Sequence, residues 1–212
     1  MSAHTDVAAF VLAGGVSSRM GVAKGMLELQ GAPLILRTVK LVEPLVKSVV
    51  VVGEPETYAP LGLQTIPDQL FGITTEEDRS KGPLFGIATA LANTDASWNL
   101  ILACDLAYLT REWVAWLLDR AMCSNAQAIV PKTAGGLEPL ASFYRKECFS
   151  LIEQCLARGV RKVTDALNDL VIETVHEQEW AALDPYGVVL KNMNTPEDYE
   201  EARKWWDFRT NP

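Results

Sequence analysis

Two periodicities take turns along the chain. Val7–Ala13 is an unbroken apolar run closed by glycines, and Ser48–Val52 (SVVVV) and Trp98–Ala103 (WNLILA) repeat the pattern. Short continuous apolar runs of this kind predict strands buried on both faces. Between them lie stretches of helical composition: Leu34–Val46, which Pro44 should end or distort, Pro83–Asn93, and Thr110–Cys123. Gly62–Ile66 predicts a short strand. Gln127–Val130 and Leu140–Phe143 predict strands flanking a turn at Gly135–Gly136. Glu147–Arg158 predicts a helix stopped by Gly159, followed by a short helix at Val163–Asn168 and a strand at Val171–Val175. The last helix, Pro196–Trp206, opens on Thr195-Pro196-Glu197-Asp198: an N-cap, a proline in the first turn, then acids where the helix dipole favours them.

Strand–helix alternation with continuous apolar strands implies an α/β fold with a parallel or mostly parallel central sheet covered by helices. No internal repeat, low-complexity tract or linker divides the chain, so residues 1–212 are expected to form one domain. The one long irregular stretch is Asp68–Gly82 (DQLFGITTEEDRSKG), the length of a functional or mobile loop.

Charge narrows the function classes. Lys+Arg number 19 against 27 Asp+Glu, a net −8, which disfavours nucleic acid and anionic membranes as partners. No apolar run approaches the ~18 residues needed to span a bilayer, and Asp6 with no basic segment before it argues against a signal peptide. The cysteines Cys104, Cys123, Cys148 and Cys155 form no CxxC, and His4 and His176 lie too far apart to suggest a zinc cluster. The expected compartment is the cytoplasm.

The candidate chemistry is concentrated in LAGGVSSRMGVAK, Leu12–Lys24. Gly14 and Gly15 alone read as an ordinary turn. With Ser17, Ser18, Arg19, Gly21 and Lys24 added, they read as a loop built for phosphate. Adjacent glycines at a strand's carboxyl end let backbone N–H groups approach a ligand, Arg19 supplies a planar donor fork, and Lys24 a point charge. The segment is neither GxxxxGK[ST] nor GxGxxG. Asp105, in LACD, follows the strand Trp98–Ala103 and points toward the same crevice. Alone it reads as a turn former; beside the first loop it reads as a ligand for magnesium, which takes one or two carboxylates plus phosphates. Asp68 and Gly82-Pro83-Leu84-Phe85-Gly86 read equally as a ligand contact or as a capping turn. Asn192 and Asn194, in NMNTPE, are candidate contacts to substrate or metal-bound water, although Thr-Pro-Glu is accounted for as a helix start. Trp113, Val114, Trp116 and Leu117 share a helix face and read as core or an oligomer interface. No GxSxG motif supports acyl transfer.

Together these motifs resemble a known family. LAGGVSSRMGVAK is similar to the signature of nucleotidyltransferases with a GT-A-like, Rossmann-related three-layer α/β/α fold. With IPD at Ile66–Asp68, GPLFG at Gly82–Gly86, LACD, EPLASFY at Glu138–Tyr144 and NMNTPED, the chain resembles molybdenum cofactor guanylyltransferases over nearly its whole length. The resemblance implies magnesium-dependent transfer of GMP from GTP to the terminal phosphate of molybdopterin, with release of pyrophosphate. It implies that Leu12, Ala13, Gly14 and Gly15 line the nucleotide site together with Gly82, that Lys24 binds phosphate, that Asp68 contacts nucleotide, and that Asp105 holds Mg2+. Lys24, Arg19 and Asp105 are then the catalytic set, and Asn192 and Asn194 face the acceptor. Transfer of CMP, or of another nucleotide to a small phosphorylated acceptor, is the alternative within this chemistry; a nucleotide-binding module without turnover is the alternative outside it. Hand-off of the product to a molybdoenzyme or chaperone is a general expectation for cofactor-making enzymes. Two positions depart from the family: Ala23 stands where aspartate is frequent, and Leu106-Ala107-Tyr108 where x-Pro-Phe is frequent.

Overall fold

The computed structural model describes residues 4–14, 23–71 and 82–210. Its strands are β1 (His4–Leu12), β2 (Glu28–Leu29), β3 (Ala32–Pro33), β4 (Val46–Val52), β5 (Thr65–Ile66), β6 (Trp98–Ala103), β7 (Ala128–Thr133), β8 (Gly136–Leu137), β9 (Ala141–Arg145) and β10 (Ile172–His176). Its helices are α1 (Leu34–Val42), α2 (Pro55–Tyr58), α3 (Leu84–Ala92), α4 (Arg111–Cys123), α5 (Cys148–Ala157), α6 (Val163–Ala166), α7 (Glu177–Trp180) and α8 (Pro196–Thr210).

The main sheet runs β10-β7-β9-β6-β1-β4-β5, with β8 paired to β7. β1 is central and parallel to both β4 and β6, and β5 and β10 are likewise parallel to their neighbours. β9 alone on this path is reversed, antiparallel to both β6 and β7. The sheet is therefore mixed but mostly parallel, and the expected three layers are present. Residues along β1 alternate between the layers: Ala8, Phe10 and Leu12 pack with α3, α5 and α6, whereas Val7 and Ala9 pack with α4, and Val11 and Ala13 with α1. Both faces being covered explains why these strands read as continuous apolar runs.

Local signals set the element ends. Thr110 caps α4, its hydroxyl accepting from the Trp113 N–H at 3.3 Å. α1 stops at Val42 and passes into a 3₁₀ turn over Glu43–Leu45, where Pro44 sits. Gly159 takes φ 84° just beyond α5, the left-handed conformation that glycine adopts at low cost. Trp113, Val114 and Leu117 are core, and Trp180 meets the Trp113 ring edge-on at 5.9 Å. Cys104, Cys148 and Cys155 are buried free thiols, and Cys123 is exposed. No helix among the described residues is long and apolar enough to cross a membrane.

The small hairpin β2–β3 and the helix α8 are far apart in sequence and packed together. Leu29, Leu34, Ala107, Tyr108, Met193 and Ala202 form a satellite core between them. The Tyr199 hydroxyl donates to the Glu28 carbonyl at 2.6 Å, and the Trp206 indole N–H to the Ala107 carbonyl at 2.9 Å. α8 extends to Thr210, beyond the Trp206 that its sequence pattern predicts.

Candidate functional site

Parallel strands deliver their carboxyl ends to one edge of the sheet, where ligand crevices form in open α/β folds. β1 ends there at Leu12, and the following backbone is held between its neighbours: Ala13 N–H donates to the Val52 carbonyl at 2.8 Å, and Cys104 N–H to the Leu12 carbonyl at 3.1 Å. The Tyr58 hydroxyl donates to the Ala13 carbonyl at 3.1 Å. Burial pushes the Tyr58 phenol up to about 12, so it stays a neutral donor. The same ring backs the 3₁₀ turn Lys24–Met26, where a Cβ on Gly25 would lie 3.1 Å from the Tyr58 oxygen. Tyr58 thus fixes the strand end and the lysine turn together. Sequence reasoning missed it because α2 is only four residues long.

Lys24 reaches across the crevice. Its Nζ donates to Asp105 Oδ2 at 2.8 Å and to Asn194 Oδ1 at 2.7 Å. Asp105 follows β6, and its carbonyl accepts the Met193 N–H at 3.1 Å. The Asn194 loop is held in turn by Asp198, whose Oδ2 accepts the N–H groups of Asn194 and Thr195, each at 2.9 Å. These hydrogen bonds hold the Asp198 carboxyl below its usual pKa. Three distant motifs therefore converge on one lysine. Asn194, expected to face the acceptor, is a partner of Lys24 here; Asn192 lies beyond it, lining an adjoining cavity. Lys24 has two side-chain partners without any contribution from Ala23, so an aspartate at that position is not needed to orient it.

Asp68 lies against the backbone that follows β1. A Cβ on Gly14 would fall 3.2 Å from Asp68 Oδ2, and one on Gly86 would fall 3.0 Å from Leu12 Cδ1 and 3.5 Å from Asp68 Oδ1. Glycine at both positions lets Asp68 lie against bare backbone. The carboxyl faces solvent from within the crevice, and the partial loss of water there, with Glu54 adding to it, raises its pKa. Gly82, at φ 122°, adopts a backbone that L side chains rarely take, and a Cβ there would meet the Arg161 carbonyl at 3.1 Å. Gly82 thus serves the turn into α3. Gly15, Ser17, Ser18, Arg19 and Gly21, and residues 72–81 of the irregular loop, lie outside the described residues.

Asp105 Oδ1 is buried and has no hydrogen-bond partner, an acceptor with capacity unused. No group of three or more His, Cys, Asp or Glu side chains among the described residues is placed to hold a metal. One carboxylate with a spare oxygen, beside a lysine, fits an ion that takes most of its shell from water and substrate phosphates, and does not fit an all-protein cage.

The chain has relatives among known proteins. A family model described as a MobA-like NTP transferase domain matches residues 9–171. A probable molybdenum cofactor guanylyltransferase of Trichormus variabilis is 36% identical over 201 residues, covering 91% of this chain and 88% of that one. One of Natranaerobius thermophilus is 30% identical over 203 residues, covering 94% and 96%. The crystal structure of molybdopterin-guanine dinucleotide biosynthesis protein A from Archaeoglobus fulgidus superposes with a TM-score of 0.79 at 23% identity, covering 95% of this chain and 99% of that one, a match of fold. With the family model spanning most of the chain and these relatives aligning almost end to end, the protein belongs to the MobA-like NTP transferase family.

Proposed function

We propose that this nucleotidyltransferase moves GMP from GTP to the terminal phosphate of molybdopterin, forming molybdopterin guanine dinucleotide and pyrophosphate, with Mg2+, in the cytoplasm. The name carried by the relatives supports the substrates. The observation that carries the chemistry is the meeting of Lys24, Asp105 and Asn194 at the carboxyl ends of β1 and β6. An oxygen of the acceptor phosphate forms the new bond to the α-phosphorus while the α–β bridging P–O bond breaks, its electron pair leaving with pyrophosphate. The acceptor oxygen is already anionic, so no side chain has to remove a proton from it. The chain's task is placement and charge neutralisation. Lys24 exchanges its carboxylate and amide partners for phosphate oxygens. Gly14 and Gly86 let Asp68 lie against bare backbone, from where it contacts the nucleotide, and Arg19 adds a second cation. Asp105 would hold magnesium, which when bound neutralises charge on the phosphates.

Pyrophosphate release from GTP in the presence of molybdopterin tests the proposal. Lys24→Ala and Asp105→Ala should each lower kcat by about 10²–10³, the usual effect of deleting a group that stabilises transition-state charge, while both variants still unfold cooperatively. Undiminished release in both variants overturns the site assignment, and release from CTP in preference to GTP overturns the base assignment.

A further inference from the structure

Beside the Lys24 network, at the same edge of the sheet, lies a cavity of about 300 Å³ lined in part by Thr133, Glu138, Glu177, Asp184, Lys191 and Asn192. It is joined to the catalytic edge through two stretches of chain. Asn192 lines it, the next residue donates its N–H to the Asp105 carbonyl, and Asn194 accepts from Lys24. On the other side, the Glu138 N–H donates to the Pro131 carbonyl at 2.8 Å, and the Leu140 carbonyl accepts the Ala103 N–H, also at 2.8 Å, at the very end of β6.

The polar groups of the cavity are unequally committed. The Asp184 carboxylate is consumed by the N–H groups of Val188 at 2.9 Å and Val189 at 3.0 Å. The Lys191 ammonium donates to both oxygens of Glu201, at 2.7 and 2.6 Å, so its charge is already neutralised. Glu138 differs. Its Oε1 accepts from the Thr133 hydroxyl at 2.9 Å, which fixes the carboxylate plane, and among the described residues Oε2 accepts no hydrogen bond. Burial raises the Glu138 pKa against the effect of that hydrogen bond, and Glu177 adds to the rise. A cavity whose free charge is carboxylate repels phosphate and selects a neutral ligand rich in N–H donors.

We infer that Glu138 reads the donor edge of a 2-amino-4-oxo heterocycle, holding the acceptor's pterin in this cavity while its phosphate extends past Asn192 to Lys24. This rests on the acceptor proposed above. Adjacent ring N–H and exocyclic amino groups match one oriented carboxylate in the two-point manner that makes such pairs selective. Guanine presents the same edge, so the nucleotide base is the other source of this chemistry. In the function proposed above, the nucleotide already has its place beside Gly14 and Asp68.

The test is titration of 6-hydroxymethylpterin, followed by its own fluorescence, onto the full chain in the presence of saturating GTP, for wild type, Glu138→Gln and Thr133→Val. Glutamine keeps the volume and the oxygen facing Thr133 but turns a donor toward the ligand's donors. Glu138→Gln should weaken pterin binding by about tenfold or more, with GTP affinity and the GTP-over-CTP preference unchanged. Thr133→Val, which leaves the carboxylate in place but unoriented, should weaken it by a smaller factor. Equal pterin affinity in all three proteins overturns the inference, as does a wild type that binds GTP but no pterin. A Glu138→Gln variant that keeps pterin and loses its GTP preference overturns it in favour of guanine. A wild type that binds no GTP overturns the proposed function itself.

Discussion

Lys24 is a cation with two partners that a triphosphate must replace. Asn194→Ala removes the neutral one, worth about 1 kcal/mol. Freed of that competitor, Lys24 is more available to phosphate, and the expected result is a roughly fivefold lower KM for GTP. Asn194→Asp is the sharper probe: it keeps an acceptor oxygen while adding a negative charge, so Lys24 is held more firmly and the triphosphate opposed. Its KM for GTP should exceed that of Asn194→Ala, which steady-state kinetics on the two variants will check. Asp68 gives a prediction of different kind. Its pKa is raised in the fold, so the folded protein binds this proton more tightly than the unfolded chain does. The group therefore costs stability as pH rises from the unfolded value, about 3.9, through the raised folded one, and the cost is fully present above that window. Asp68→Asn should raise the thermal midpoint at pH 7, with the gain shrinking as pH falls toward 4. Neither partnership of Lys24 was readable along the chain. The motifs around Lys24, Asp105 and Asn194 each stand out by composition, but their meeting is a product of topology.

Among the elements, long ones with a clear period were readable and short ones were not. β1, β4, β6 and α4 carry enough residues for their apolar run or apolar face to be unmistakable; glycine closes β1 and β4, and Thr110 caps α4. The hairpin β2–β3 and the one-turn helices α2 and α7 contain two to four residues each, too few to show any period. Their existence depends on what they pack against: Tyr58 of α2 on the lysine turn, Trp180 of α7 on Trp113. α8 shows how such packing reaches the site. Ala107, two residues beyond Asp105, is buried against it and accepts the Trp206 indole N–H, and Tyr108 meets the Trp205 ring edge-on at 5.8 Å. The departure from x-Pro-Phe at these positions is thus accommodated as a seat for α8. Trp206→Phe deletes the indole hydrogen bond and should cost about 1 kcal/mol in denaturant unfolding. Because the segment it releases carries Asp105, kcat should fall as well, with little change in the KM for GTP.

The main path of the sheet is two parallel sets joined by one reversed strand, with the short β8 antiparallel to β7 outside it. β5-β4-β1-β6 carries Gly14, Asp68 and Asp105 at its edge; β7 and β10 carry the cavity with Glu138; β9 lies between. That division is the one the proposals above assign to nucleotide and acceptor; the pattern of apolar runs alone did not show the reversal, since a strand buried on both faces looks the same in either direction. GTP with Mg2+ should stabilise the protein by about 2.7 kcal/mol at 100 times its Kd. Thermal unfolding should show that shift, and chelation of the metal or Asp105→Ala should diminish it. The wide spacing of the Lys24 partners also gives the molecule an order of assembly. Asn194 lies 170 residues after Lys24. At the 5–20 residues per second of translation, roughly 10–30 seconds separate the appearance of the two. During that interval the strands flanking β1 emerge and can pair, bringing Asp105 within reach of Lys24, while the second partner of the lysine is still to come. A growing chain therefore acquires its strand framework, and the carboxylate that pairs with Lys24, before the asparagine loop that completes the lysine's contacts.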